Sequence, residues 1–370
     1  MRSFNIGDLT VRVPIVQGGM GVGVSLSGLA VAVANEGGVG VISSAGLGLL
    51  YRNLTTDFAL ASIMGLKEEI ATARSKTKGI LGVNVMVAMS NFADMVKTSI
   101  QEKIDIIFSG AGLPFDLPSY LEKDSTTKLV PIVSSGRAAK IICEKWWTNY
   151  RYLPDAIVVE GPKAGGHIGF KADQVHNEAY TLENLIREVK TEVQKIEEIH
   201  NKKIPVIAAG GIYTGQDIYN IMQTGADAVQ MGTRFVTSDE CDAAIEFKQA
   251  YINSEEKDIE IIKSPVGMLG QAIVNPFIEK VRQGLKHPIS CPFQCIKTCE
   301  VSSSPYCIIT ALYNAFKGNL TSGYAFAGSN AFKATKIESI REIFAELKSD
   351  FKKTLNEKLE QLKESDKAAK

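Results

Sequence analysis

The sequence predicts an α/β protein, a closed (β/α)8 TIM barrel with a smaller, mainly helical C-terminal region. Eight short apolar, β-branched runs recur over about 240 residues, most are followed by a helical pattern, and glycines cluster after the runs. Strands that are apolar on both faces and alternate with helices require a parallel sheet covered on both sides. Eight such units at this length suit a closed barrel better than an open, doubly wound sheet. The glycines fall at the strand ends where barrel enzymes build their sites.

The first run is Val13-Pro-Ile-Val-Gln17, closed by Gly18-Gly19-Met20-Gly21. A small-residue helix follows from Ser27 to Asn35, with Ser27 as its expected cap. Val39–Ser43 is the second strand, and a polar insertion leads to a helix from Ile63 to Lys76. Ile80–Met86 and Ile104–Phe108 are the third and fourth strands, with the helix Phe92–Glu102 between them. Leu129–Ser134 is the fifth, followed by a helix starting near Arg137. The sixth, Ala156–Glu160, runs into the glycine-rich loop that carries His167, and a charged helix spans Leu182 to His200. Ile204–Ala209 precedes Gly210-Gly211 and a helix capped by Thr214; Ala228–Met231 closes the set at Gly232-Thr233.

After residue 240 the rhythm changes. The division expected is a barrel over 1–245, a helical, cysteine-containing region over 246–335, and an amphipathic helix and tail over 336–370. Within the second part, Cys241–Glu256 reads as helix and Ser264–Gly270 as a turn-rich loop. Ile340, Phe344, Leu347, Phe351, Leu355, Leu359 and Leu362 recur at three- and four-residue steps, one apolar stripe among Lys and Glu. Docking on its own barrel is the first expectation for that stripe, and pairing of two subunits in a homodimer is the alternative. The stretch Lys363–Lys370 is expected to fray.

Bulk composition excludes several classes. Apolar residues make up 45% and charged residues 22% of 370, the profile of an ordinary soluble globular protein. Lys+Arg and Asp+Glu are both 41, so no net field draws in nucleic acid or anionic membrane. Residues 1–8 lack the apolar core of a signal peptide, and the apolar stretch from Val22 to Leu50 is interrupted by Asn35, Glu36 and glycines. Six cysteines in a chain of this size do not form a disulfide framework, and a reducing cytoplasm is the expected home.

The chemistry concentrates at the strand ends. Ile207–Ile212 and Val229–Phe235 are the turns after strands seven and eight, where barrels commonly bind a phosphate through backbone N–H groups. Gly210, Gly211 and Gly232 let the main chain approach, and Thr233 adds a hydroxyl. Gln17, Gly18, Gly19, Met20 and the strand residue Asn84 are candidates to line a flat ring, since a buried amide must find partners. Ser109 and Ser134, also at strand ends, are weaker candidates. No stretch has the dinucleotide fingerprint: Gly21-Val-Gly23 and Gly38-Val-Gly40 each lack the third glycine. That suggests a mononucleotide such as FMN, although composition does not choose FMN over a sugar phosphate. His167, between glycines after a strand, is the candidate for proton chemistry; His176, His200 and His287 read as surface residues. Cys291, Cys295 and Cys299 step by four, one stripe if helical, with Cys307 following. Without Cys-x-x-Cys pairs, they read first as reduced thiols packed as small apolar residues, with a metal or iron–sulfur site as the alternative and no metal ligand assigned.

Pro14–Gly21, Gly82–Met86, Ala164–Gly169, Ala209–Ile212 and Gln230–Phe235 together resemble the nitronate monooxygenase family, also called 2-nitropropane dioxygenase, which includes FMN-dependent enoyl-acyl-carrier-protein reductases. Ser264–Met268, Asn275-Pro-Phe277 and Phe326–Ala331 resemble a subset with a longer C-terminal part. The resemblance implies non-covalent FMN, with Gly18, Gly19 and Met20 at the ring and Asn84 near it. Glu160 and Gly166 would lie along the flavin, Gly210, Gly211, Gly232 and Thr233 would hold the phosphate with Gln230 in the same motif, and His167 would sit at the reactive edge as base or substrate-orienting group. The activity so implied is oxidation of alkyl nitronates, or nitroalkanes, with oxygen. An NAD(P)H-dependent reductase of enoyl thioesters or quinones on the same barrel is the alternative, and a flavin-fold partner subunit with little turnover alone is a third reading, of another class.

Overall fold

The computed structural model describes residues 1–287 and 290–368. Its strands in chain order are β1 (Phe4–Ile6), β2 (Leu9–Val11), β3 (Ile15–Gln17), β4 (Val39–Ser43), β5 (Ile80–Met86), β6 (Ile106–Gly110), β7 (Lys128–Val133), β8 (Ile157–Glu160), β9 (Gly166–Ile168), β10 (Val206–Ala209), β11 (Ala228–Met231), β12 (Ile259–Lys263) and β13 (Leu269–Ile273). Eight of them close a parallel barrel in the order β3-β4-β5-β6-β7-β8-β10-β11. These are the eight apolar runs read from the sequence. Each strand is buried on two faces: Val16, Ile106, Phe108, Val158 and Ile207 fill the barrel interior, whereas Ile15, Ile157, Val206 and Val229 pack outward against helices. The hairpin β1–β2, which sequence periodicity did not single out, adds Ile6 and Val11 to the interior cluster.

Helices connect the strands close to the expected places, with informative differences at their starts. The second long helix begins at Phe58 rather than Ile63, because Asp57 accepts from the N–H groups of Ala59 and Leu60. Thr214 caps its helix through the Asp217 N–H, as expected. Ser27 does not cap the first helix: it is already helical, and its own N–H donates to Glu69 at 2.7 Å. Asp242, 214 residues from Gly28, accepts from the N–H groups of Leu26, Gly28 and Leu29. Two distant carboxylates thus satisfy the orphan donors that a local cap would have taken.

Beyond the barrel the chain is mainly helical, with Ile245–Ile252, Pro276–Arg282, Ile308–Phe316 and Ile340–Ala368 as its α-helices. The loop expected at 264–270 is instead the turn of an antiparallel hairpin, β12–β13, whose second strand pairs with β9. Residues 291–299 are not helical, so the four-residue steps of Cys291, Cys295 and Cys299 do not place their thiols on one helical face. The terminal helix splits its stripe in two. Ile340, Phe344, Leu347 and Phe351 are buried, with Phe344 stacked on Phe235 and Phe351 edge-on to Tyr219; Leu359 and Leu362 are exposed. The stretch expected to fray is helical through Ala368, and residues 369–370 lie outside the described residues, as do 288–289. Among the described residues, no helix is long and apolar enough to cross a membrane.

Candidate active site

A cavity of about 280 Å³ opens at the carboxyl ends of the barrel strands, room for an organic ligand rather than a few waters. Gly18, Gly19, Met20, Asn84, Glu160, Gly166, His167, Gly210, Gly211, Gln230, Gly232 and Thr233 all lie on its wall. Residues from five barrel strands, and from β9, therefore meet in one place. Gln17 does not join them. It is fully buried, and its amide clamps β3 to β4, donating to the Val41 carbonyl at 2.7 Å and accepting from the Val41 N–H at 3.1 Å. The ladder explains this: β3 and β4 share a single backbone register pair, Val16 with Val39, and the Gln17 side chain supplies the bonds that further pairs would have made. Ser109 is likewise spent on the Val85 carbonyl, and Ser134 on that of Gly169.

The turns after β10 and β11 have the form expected of an anion cradle. Gly210 and Gly211 both adopt positive φ, 98° and 81°, a region that disfavours a side chain. Opposite them lies a segment from the end of the sequence motif 326–331. The Gly328 N–H donates to Thr233 Oγ1 at 3.1 Å, the Ser329 N–H to the Lys163 carbonyl at 3.2 Å, and Asn330 Nδ2 to the Gly211 carbonyl at 2.6 Å. Thr233 accepts in that bond, so its own hydroxyl proton is left for a ligand. Phe326, Ala327, Gly328 and Asn330 line the cavity and were not among the site residues read from sequence. Their signal was the Gly-Ser-Asn run after an apolar pair, which marks a turn but not where the turn docks.

At the other end, the wall is apolar. Phe58, Met89, Ile296, Ile308 and Leu312 lie there with Cys295. Burial pushes the Cys295 thiol up to about 12, so it stays protonated and packs as a small apolar side chain. Among the described residues, no three His, Cys, Asp or Glu side chains gather in a way that would hold a metal ion.

Glu160, Lys163 and His167 line this cavity, and none of them makes an ion pair with a described residue. Glu160, at the end of β8, is raised to about 7 by desolvation alone. His167, on β9, is held down to about 4 by desolvation. Its Nε2 lies 2.8 Å from Ser264 Oγ, and the Phe326 ring packs edge-on to the imidazole at 5.0 Å. The Asn84 amide makes no hydrogen bond to a described residue and remains available to a ligand. Of the other histidines, His176 and His287 are exposed, and His200 packs half-buried on Trp147.

A cavity of this kind, at the carboxyl ends of parallel barrel strands and lined by glycine turns with Glu160 and His167 on its wall, is where barrel enzymes do their chemistry. Comparison with known proteins narrows the class. Residues 2–350 match the nitronate monooxygenase family, and the chain belongs to that family of flavin-dependent oxidoreductases. A probable nitronate monooxygenase of Staphylococcus aureus (strain MSSA476) is 28% identical over 310 residues, 74% of this chain and 79% of its own. FabK from Thermotoga maritima superposes with a TM-score of 0.73 at 28% identity, covering 95% of this chain and 96% of that one. Nitroalkane oxidase from Streptomyces ansochromogenes gives 0.71 over 93% and 97%; at 20% identity it speaks to the fold alone.

Proposed function

We propose that this chain binds FMN and oxidises alkyl nitronates with molecular oxygen. The observation that carries the reading is convergence: glycine turns, an uncommitted amide and a histidine, encoded far apart, line one cavity in a chain matching the nitronate monooxygenase family. The residues present suit the cofactor. Gly18, Gly19 and Met20, with Asn84, would border the ring, Glu160 and Gly166 would run along it, and Gly210, Gly211, Gly232 and Thr233 would hold the phosphate, with Gln230 beside them. Gly328 and Asn330 join this phosphate end. A bound flavin supplies the electron chemistry, and the protein supplies orientation and electrostatics. His167 orients the substrate, and the apolar compartment excludes water from its alkyl part.

The second reading is an NAD(P)H-dependent reductase of enoyl thioesters or quinones. The apolar lining at Phe58, Met89, Ile296, Ile308 and Leu312 favours it, since an acyl chain would lie there. Anaerobic mixing of the purified yellow protein decides between them. Bleaching by an alkyl nitronate but not by NADH or NADPH is the expected result; rapid bleaching by a pyridine nucleotide would assign the reductase. A colourless preparation that rejects added FMN would overturn both.

A further inference from the structure

The histidine on the cavity wall is held by a residue outside the barrel. Ser264 is 2% exposed and opens the turn between β12 and β13. Its N–H donates to the Met268 carbonyl at 2.9 Å, and its carbonyl accepts from the Gly267 N–H at 3.1 Å. β13 pairs in turn with β9, setting Gly270 opposite His167. The C-terminal hairpin, not a barrel strand, therefore fixes where the imidazole points.

Counting hydrogens decides what that imidazole offers. A serine hydroxyl has one proton and two lone pairs. The Val266 N–H is directed at Ser264 Oγ, 3.4 Å away, and takes one lone pair. For the hydroxyl proton, His167 Nε2 is the acceptor within reach among the described residues. Were Nε2 the protonated nitrogen, the buried serine proton would have no acceptor, at the cost of an unsatisfied donor. With Oγ–H donating to Nε2, the proton of the neutral ring sits on Nδ1. Nδ1 makes no hydrogen bond to a described residue, so with Nε2 held by Ser264 it is the ring nitrogen left for a ligand in the cavity that His167 lines.

We propose that Ser264 is a positioning residue that locks His167 as the Nδ1–H tautomer, making this histidine a hydrogen-bond donor to a substrate oxygen rather than a base toward a substrate carbon. The proposal rests on the reading that substrate meets the cavity beside His167. It deepens that reading by defining the substrate class: a molecule that arrives with its oxyanion or carbonyl oxygen already formed, not a neutral carbon acid that must first lose a proton. The burial that holds the imidazole at a pKa of about 4 acts in the same direction, because a ring that weakly basic removes a carbon-bound proton poorly.

The test is the tautomer itself. Purified full-length protein labelled with 15N-histidine is observed at neutral pH by long-range 1H–15N correlation, with His167→Gln assigning the signal. The expected pattern is a protonated Nδ1 and an unprotonated Nε2, lost in Ser264→Ala and restored in Ser264→Thr. A protonated Nε2 in the wild type, or an unchanged tautomer in Ser264→Ala, would overturn the proposal. In the flavin-loaded enzyme, Ser264→Ala lowers kcat for an alkyl nitronate about tenfold and Ser264→Thr recovers it, while turnover of the parent nitroalkane by the wild type stays at least tenfold below that of the nitronate. Equal turnover of the two forms would count against the donor role. The NMR readout needs no turnover, so failure of the nitronate reading and failure of the Ser264 lock are told apart.

Discussion

Gly19 and Asn84 touch so closely that a β-carbon on residue 19 would lie 2.2 Å from the β-carbon of Asn84. Both line the cavity, and Asn84 sits in β5, where the barrel ladder leaves its backbone little freedom to retreat. Gly19→Ala is therefore expected to push the 18–21 turn into the cavity rather than displace the strand. FMN affinity, followed by quenching of flavin fluorescence, falls at least tenfold, while far-ultraviolet circular dichroism is unchanged. Equal affinity in the variant would mean that this turn does not border the flavin.

Glu160 predicts a pH dependence of stability. Its folded pKa is raised from 4.5 to about 7. The folded state thus holds the proton more tightly, so its contribution is complete below pH 4.5 and is lost as pH rises through about 7. By linkage this amounts to roughly 3 kcal/mol between the two limits. In flavin-free protein, Glu160→Gln removes that loss: the variant is more stable than the wild type at pH 8 and similar at pH 4.5. Urea denaturation at the two pH values measures it, and parallel curves would show that Glu160 is solvated when folded.

The barrel was legible because its signals are local. β-branched runs such as Val39–Ser43 and Ile80–Met86 are strands at the residues read from sequence, since a strand buried on both faces must be apolar throughout. The glycines and His167 were legible as a site because barrel topology brings strand ends together wherever they lie in the chain. What escaped depended on partners far away. Gln17 sits in a motif that reads as ring-binding, yet it repairs a short ladder with Val41. Ser264 lies in a Pro-Gly turn that looked like loop; only the pairing of β13 with β9 turns it toward His167. The cysteine spacing suggested a helical stripe that residues 291–299 do not form.

Asp242 makes the long-range cap testable. Its carboxylate accepts from three N–H groups at the start of the first helix, those of Leu26, Gly28 and Leu29, at 2.8, 3.1 and 3.2 Å, which lose that partner in Asp242→Ala. Loss of a cap typically costs about 1 kcal/mol and an unsatisfied buried donor about 1–3, so destabilisation of roughly 2–3 kcal/mol is expected by urea denaturation at pH 8. Asp242→Asn retains an acceptor oxygen and loses less. Equal losses in the two variants would point to the charge rather than the cap.

The apolar compartment makes the last prediction, and it separates substrate from cofactor. Leu312 lies on the helix Ile308–Phe316, far along the chain from the glycine turns but on the same cavity wall as Phe58 and Ile296. Leu312→Trp adds bulk where an alkyl chain would run and touches none of the residues assigned to the phosphate. FMN titrations of the variant should overlay those of the wild type. Across a series of straight-chain nitronates, KM for the shortest member should stay within about twofold, while for a six-carbon member it rises about tenfold or more, the size expected when one or two methylenes lose their burial. A uniform change across the series would place the alkyl chain elsewhere, and weakened flavin binding would mean that the helix supports the cofactor instead.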